Sequence, residues 1–360
     1  MKKLIGGWVL GILILANSVS FAQTVDIHGF VDTYYSYNFN NPDSRLNGVS
    51  NFDFHHNAFS LNLAEIVFSK STSDTSPVGF RIDLNFGETT DFIHCGAFSC
   101  ENAAVPSSEE PYKNIQQAYL TLATPVGLTF DMGKFVTHLG AEVIESKDNW
   151  NYTRGLLFCC AIPYYHTGLK ANYAVSDILS VSGFVLNGWN NVVENNGKKT
   201  FGAQVALTAI KPVPIILNWI GPEESAGVYE NRQVYDLVAT FNFSDAIAFA
   251  VNYDYGSQDS LVTGSDQTWS GIAGYARVAM GQNAVALRYE MVDDEDGVMF
   301  GTADNKVQEV TLTAETKVGG NLLLRAEYRM DMSDKNIFED EGGAVTDTQN
   351  RVVFGAVYSF

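Results

Sequence analysis

The chain has 360 residues, with 22 basic and 41 acidic side chains and a formal net charge of −19. This balance argues against nucleic acid as a partner, because phosphate binding needs clustered Lys and Arg. Aromatic residues make up 12% of the chain, with 31 glycines and only 9 prolines. Such a composition is typical of sheet and turns rather than of helices.

The first 22 residues have the features of a secretory signal peptide. Lys2 and Lys3 precede an apolar run, residues 4–15, that is shorter than the roughly 20 residues a membrane-spanning helix needs. Small residues at Ser20 and Ala22 then mark a cleavage site. We expect residues 1–22 to be removed on export and residues 23–360 to form one domain.

The remaining chain is dominated by alternation of apolar and polar residues. In one segment Phe80, Ile82 and Leu84 share a face, while Arg81 and Asp83 share the opposite face. Successive side chains of a strand point to opposite faces of a sheet. The pattern therefore predicts strands with one apolar face and one charged face.

Sixteen such segments can be placed along the chain. They cover residues 25–37, 58–70, 78–87, 115–123, 127–136, 164–174, 178–187, 199–209, 213–220, 233–243, 246–256, 268–280, 284–292, 306–317, 322–332 and 349–360. The second is the weakest, because Glu65 interrupts an expected apolar face of Phe59, Leu61, Leu63 and Val67.

Segment length and connection length together predict the fold class. Strands of about ten residues are long enough to cross a bilayer when tilted. Connections after even-numbered strands are short, and those after odd-numbered strands are mostly long and polar. This predicts an all-β, up-and-down antiparallel transmembrane β-barrel of about 16 strands, located in the cell outer membrane, with both termini periplasmic.

Several short blocks resemble the OmpL-like β-barrel porins. They are Gly133-Lys134-Phe135, residues 139–142, 148–154 and 166–168, Asn187-Gly188-Trp189, residues 194–196 with Lys198, Gly221-Pro222-Glu223, and residues 235–238. The resemblance covers nearly all of residues 23–360 and is strongest between residues 133 and 199. It implies a porin-like channel.

The loop after the fifth strand, residues 137–163, is the first candidate site. Its charged and titratable residues are His138, Glu142, Glu145, Lys147, Asp148 and Arg154. By analogy with sixteen-stranded porins, this loop could fold into the barrel and narrow the pore. The alternative is a solvated surface loop. Burial inside the barrel is favoured because Trp150, Leu156, Leu157 and Phe158 are apolar.

Charged residues on the lumen face of the strands form the second candidate set. They are Arg81, Asp83, Arg288, Glu290, Arg325, Glu327 and Arg329, with Asp131, Arg277 and Glu309. Two roles stay open for them, selection of solutes by charge and neutral bracing of the wall. Bracing is favoured because acids and bases occur on neighbouring strands.

Four cysteines enter an oxidising compartment, where a local disulfide between Cys95 and Cys100 is plausible. Cys159 and Cys160 are adjacent, so a bond between them or cross-pairing with the other loop are the alternatives. We expect no metal site and no cofactor. The acidic run Asp293-Asp294-Glu295-Asp296 is interpreted as a solvated loop tip rather than as a dedicated calcium loop.

The sequence therefore predicts a porin for passive diffusion of small hydrophilic solutes or ions, with mild cation preference and no enzymatic activity. The expected partners are outer-membrane lipid and lipopolysaccharide, and the barrel-insertion machinery through the C-terminal Phe360. A homotrimer is possible. The alternatives are a surface adhesion or structural barrel that acts through its loops and, less favoured, an outer-membrane hydrolase.

Overall fold

The alternating segments form antiparallel strands in the computed structural model, which describes residues 25–95, 112–208, 213–225 and 228–360. The strands are β1 Asp26–Asn38, β2 Ala58–Lys70, β3 Val78–Phe86, β4 Ile115–Ala123, β5 Leu128–Val136, β6 Tyr165–Ser176, β7 Leu179–Leu186, β8 Thr200–Leu207, β9 Ile215–Ser225, β10 Tyr229–Asn242, β11 Ile247–Ser260, β12 Asp266–Met280, β13 Asn283–Asp294, β14 Asn305–Val318, β15 Leu322–Ser333, β16 Phe338–Glu339, β17 Val345–Thr346 and β18 Thr348–Ser359.

All strands except β16 and β17 belong to one closed barrel, so the prediction of sixteen barrel strands is confirmed. The barrel closes where β1 pairs with β18, with Phe30 opposite Ser359 and Tyr34 opposite Gly355. Closure removes the free strand edges that lipid would not tolerate.

The two faces of the barrel wall differ in polarity, as the alternation predicts. On β13 Leu287 and Tyr289 point outward and are exposed on the isolated chain, whereas Arg288 and Glu290 point inward and are buried. An apolar outer wall suits lipid, because charged groups on that face are costly at the bilayer centre.

The predicted apolar face of β2 is wrong in its second half. The register with β1 shifts after Leu61, so that Asn62 has no partner across the ladder and the strand contains a β-bulge. A bulge adds one residue and reverses which face the following side chains occupy. Leu63 and Val67 therefore point inward together with Glu65. The carboxyl group of Glu65 lies on the lumen side and does not interrupt the face that contacts lipid.

Short helical turns lie in the connections at the end of the barrel that carries the long loops. They are α1 Glu88–Cys95, the 3-10 turns Ser146–Asp148 and Glu341–Gly343, and the π-helical turn Leu157–Ala161. The hairpin of β16 and β17 lies in the last long loop. Within the described ranges, no helix is both long and apolar enough to cross a membrane.

Candidate functional site

The connection between β5 and β6, residues 137–164, lies inside the barrel, and we call it the inner loop. Its side chains Leu156 and Phe158 are buried, and Tyr152 is fully buried at 0% exposure. The wall leaves room for this packing. A Cβ atom on Gly355 of β18 would stand only 2.3 Å from Cδ2 of Tyr152. The lumen is therefore partly filled by the chain itself.

Two arginines of β15 hold the backbone of the inner loop. Arg325 donates from Nη1 to the Ser146 carbonyl and from Nη2 to the Asn149 carbonyl, each at a distance of 2.5 Å. Arg329 donates from Nη1 to the Arg154 carbonyl over 2.6 Å. Charge-assisted hydrogen bonds of this kind are among the strongest in proteins. They tie the inner loop to one side of the wall.

Arg288 of β13 joins the wall and the inner loop in a buried ion-pair network. Its Nη1 donates to the Glu142 carboxylate at 2.7 Å and to the Thr153 carbonyl at 2.6 Å. Its Nε donates to Glu309 of β14 over 2.6 Å. Because a guanidinium does not lose its proton in a protein, its burial requires such partners.

Acidic wall residues complete the attachment by accepting backbone N–H groups. Glu327 of β15 accepts a hydrogen bond from the amide of Tyr152 at 2.6 Å and from the amide of Thr153 at 3.1 Å. Glu290 of β13 accepts from the amide of Leu156. Wall charges of both signs therefore bind backbone groups of the same loop.

The inner loop is also fastened to β1 and to itself. Asp32 of β1 accepts from Ser146 Oγ and from the Tyr152 hydroxyl, both over 2.7 Å. Arg154 lies over the Phe52 ring at 4.3 Å and donates to the Ile144 carbonyl. Burial lowers the pKa of the Arg154 guanidinium from its usual value.

A cavity of about 430 Å³ separates the other side of the inner loop from the wall formed by β1–β8. Acidic and basic side chains come to it from both the loop and the wall. They are Arg81, Lys147, Lys170, Glu65, Asp131, Glu142, Glu145 and Asp148. A water-filled space lined by opposed charges can select solutes by size and charge.

Some of these charges pair within reach of the cavity. Lys147 Nζ lies 2.5 Å from Asp148, and Lys170 Nζ lies 3.5 Å from Asp131. Glu145 has a raised pKa, mainly because it is desolvated and also because the Asp148 carboxylate is close. The two lysines therefore compensate part of the carboxylate charge that faces the cavity.

His138, at the start of the inner loop, packs against the wall of the same cavity. Its ring stacks on Phe184 at 4.0 Å, and its Nε2 lies 3.1 Å from the Trp219 carbonyl oxygen. Desolvation, with a smaller contribution from His166, lowers the pKa of His138 to about 3. The ring is therefore neutral over most of the pH range.

A second cavity of about 340 Å³ lies on the far side of the inner loop. Glu142 and Asp148 reach it from the loop, and Thr240 and Tyr275 line it from the wall. Cavities therefore lie on both sides of the inner loop, and the one beside β1–β8 is the larger and more highly charged of these two.

The structure separates the sequence-predicted site residues into two sets. Those that line the larger cavity are His138, Glu142, Glu145, Lys147, Asp148 and Arg81. Those buried in the attachment of the loop or within the wall are Arg154, Asp83, Arg288, Glu290, Arg325, Glu327 and Arg329. For the second set, burial favours bracing over direct contact with solutes.

The sequence analysis missed two charged residues that line the larger cavity. Lys170 lies opposite Asp131 across the β5–β6 ladder, so alternation along β6 could have revealed it. Glu65 was assigned to the lipid face because the β2 bulge has no clear sequence signal.

The described cysteines pair within the inner loop. Cys159 and Cys160 are bonded to each other in the π-helical turn, which replaces the cross-pairing that the sequence left open. The predicted bond between Cys95 and Cys100 falls outside the described side chains and stays a prediction. Within the described ranges, no group of three or more His, Cys, Asp or Glu side chains could hold a metal ion.

A closed sixteen-stranded barrel with an apolar outer wall and a loop folded into a charged lumen defines the porin class of β-barrel. The chain belongs to the family described as "Putative beta-barrel porin-2, OmpL-like", whose model matches residues 24–360. The resemblance drawn from the sequence blocks is thereby confirmed. Membership places the chain in the outer membrane and points to a channel rather than an enzyme.

Solved porins share the fold at low sequence identity. The outer-membrane channel DcaP of Acinetobacter baumannii is 15% identical with a TM-score of 0.62, covering 93% of this chain and 97% of that chain. An anion-selective porin from Comamonas acidovorans is 14% identical with a TM-score of 0.60, covering 94% and 99%. OmpT of Vibrio cholerae in a trimer form is 15% identical with a TM-score of 0.61, covering 94% and 99%. No curated protein matches the chain significantly.

Proposed function

We propose that this porin is a passive diffusion channel for small hydrophilic solutes or ions, narrowed by the inner loop beside β1–β8. One observation carries the proposal. The loop is fastened to β1 and β13–β15, and the charged cavity lies on its other side. A permeating solute would pass between the charged face of the loop and the opposite wall.

We also propose mild cation preference for this passage. Among the described residues, five carboxyl groups and three Lys or Arg side chains line the larger cavity. A surplus of fixed negative charge in a narrow lumen attracts cations and repels anions. The surplus is small, because the Glu142 carboxylate is paired with Arg288.

The test is planar-bilayer conductance of the refolded mature protein, with the reversal potential measured across a salt gradient. Stable steps and a cation-selective potential are expected. The double variant Glu145→Gln/Asp148→Asn should move the potential toward zero, since it removes two cavity carboxyl groups. The pair Asp43→Asn/Glu341→Gln, at exposed positions in two other long loops, is the matched control.

An unchanged reversal potential in the double variant would refute the role of the inner loop in selectivity. Absence of current from protein whose heat-dependent gel shift shows folding would contradict the channel. That result would favour the adhesive or structural barrel.

We further propose that residues 1–22 are removed on export, and that the barrel contacts lipid, lipopolysaccharide and copies of itself. The apolar outer wall supports contact with lipid, and the trimer form of the similar OmpT supports a homotrimer. Mass determination of protein from outer membranes tests the cleavage. Cross-linking in native membranes tests the trimer.

A further inference from the structure

A third cavity lies among the long loops, outside the passage described above. It measures about 190 Å³, below the roughly 300 Å³ at which pockets for drug-sized ligands begin. Its lining comes from the inner loop, from the connection after β7 and from that after β13, and from the ends of β10 and β12. A cavity of this size suits one small ring rather than an extended molecule.

Flat, polarisable surfaces make up much of this lining. Trp189 and Trp269 contribute indole rings, Tyr164 a phenol ring, and the Cys159–Cys160 disulfide its sulfur atoms. Aromatic faces stack favourably on the C–H face of a ring. The cavity therefore favours a ligand with a flat C–H face.

Polar groups in the same cavity favour hydroxyls around that ring. The side chains of Asn190 and Arg232 line the space. Amide and guanidinium groups suit hydroxyls, which can both donate and accept hydrogen bonds.

The charge around the cavity does not favour an anion. Arg232 is the only Lys, Arg, Asp or Glu among its described lining residues. Its Nε donates to Gln258 over 2.7 Å, and its guanidinium stacks on Tyr229 at 3.6 Å. Glu223 lies opposite Arg232 in the β9–β10 ladder. Because an acidic residue lies opposite Arg232, the site favours neutral hydroxyls over an anionic ligand.

The cavity adjoins the proposed route. Tyr164 lines both this cavity and the larger one beside β1–β8. A molecule held here would lie next to the entrance of the passage, separated from it by one aromatic side chain.

We propose that this cavity is a binding subsite for an uncharged sugar ring, placed before the narrow passage. The proposal deepens the channel function and rests on it. The subsite would concentrate neutral sugars at the long-loop end of the pore.

The probe is D-glucose, with sodium benzoate as an anionic ring of similar size, titrated against the folded protein. Tryptophan fluorescence reports binding, and glucose-induced interruptions of the single-channel current report access to the route. Val298→Phe fills the cavity from a loop and should raise the half-saturating glucose concentration at least about tenfold. Val262→Phe, exposed in the connection after β11, is the matched control and should leave it unchanged.

Should Val298→Phe fail to fold, Trp189→Leu removes one ring without crowding the cavity, and the current interruptions should become rarer. A glucose response that survives both variants overturns the subsite. A response to benzoate but not to glucose overturns the proposed ligand class. Normal current steps without a glucose response would overturn this inference alone, whereas a glucose response without current steps would overturn the channel and keep the site.

Discussion

Charged side chains inside the barrel occur in two environments. Arg288 and Arg329 are fully buried and donate to carbonyl groups of the inner loop. Arg81 and Lys147 are partly exposed beside the larger cavity. Removing one partner of a buried pair leaves an uncompensated charge, whereas exposed pairs contribute little to stability. We therefore expect the buried set to act on stability and the exposed set on the passage of solutes.

Gly355 tests how closely the inner loop packs on the wall. An added methyl group in Gly355→Ala would overlap the Tyr152 ring, whose Cδ2 atom lies 2.3 Å from the Cβ position. We expect a loss of about 1–3 kcal/mol. The displaced loop should also give a larger unit conductance. The measurements are the temperature of the heat-dependent gel shift and the single-channel current.

The control for this variant is Gly183→Ala on the outer face of β7, where an added Cβ meets nothing within 4 Å. That change should leave both measurements near the wild-type values. Equal behaviour of the two variants would show that the Tyr152 contact has no bearing on the position of the loop.

His138 predicts a pH dependence of stability. Its pKa in the folded chain is about 3, below the value of about 6.5 for an unfolded histidine. As the pH falls from 6.5 toward 3, the unfolded chain gains a proton that the folded chain does not bind, so stability is lost across that window. In His138→Phe, the decrease in unfolding temperature between about pH 7 and pH 4.5 should be smaller than in the wild-type protein.

The matched control for that comparison is His28→Phe, at an exposed position of β1. It should show the same decrease in unfolding temperature between about pH 7 and pH 4.5 as the wild-type protein. If His138→Phe shows the full wild-type difference, the buried imidazole is not its source.

At the scale of elements, the strands follow from alternation because lipid and lumen impose opposite polarity on successive residues. Their bounds agree within a few residues for most of the barrel. What the sequence did not reveal depends on distant partners. The contacts of Arg325 with the inner loop join residues more than 170 positions apart, and no local pattern encodes them. The hairpin of β16 and β17 was also missed, since each strand has only two residues.

The bulge in β2 yields a prediction that distinguishes the two assignments of this strand. With the observed register, Ile66 faces lipid and Val67 faces the lumen. A fluorophore attached at Ile66→Cys should be quenched by lipid-borne quenchers, whereas one at Val67→Cys should be protected. The Cys159–Cys160 bond is kept intact by labelling without reductant. The reverse result would restore the alternating face without a bulge.

At the scale of the whole molecule, closure depends on the two ends of the described chain. Phe360 donates its amide to the Gly29 carbonyl over 2.9 Å and accepts from the Gly29 amide over 3.1 Å. Its side chain is exposed on the outer wall. The terminal residue thus both extends the last ladder and presents an aromatic ring at the barrel rim.

Deleting Phe360 should separate these two roles. If the insertion machinery reads the terminal ring, folded barrel in cell outer membranes should fall severalfold, while refolding into detergent falls little. Tyr358→Leu, which removes an outward aromatic from the same strand, is the control and should assemble normally. An equal loss in cells and in detergent would assign Phe360 to closure alone.

The attachment of the inner loop has an evolutionary consequence. Arg325, Arg329 and Glu327 bind its backbone carbonyl and amide groups, which every amino acid except proline supplies in full. Side chains that face the passage, such as Lys147 and Asp148, take no part in those bonds. At these positions, attachment of the loop and contact with solutes are therefore separable, whereas Glu142 takes part in both. New solute preferences can arise by mutation along the exposed edge of the loop without the barrel having to be rebuilt around it.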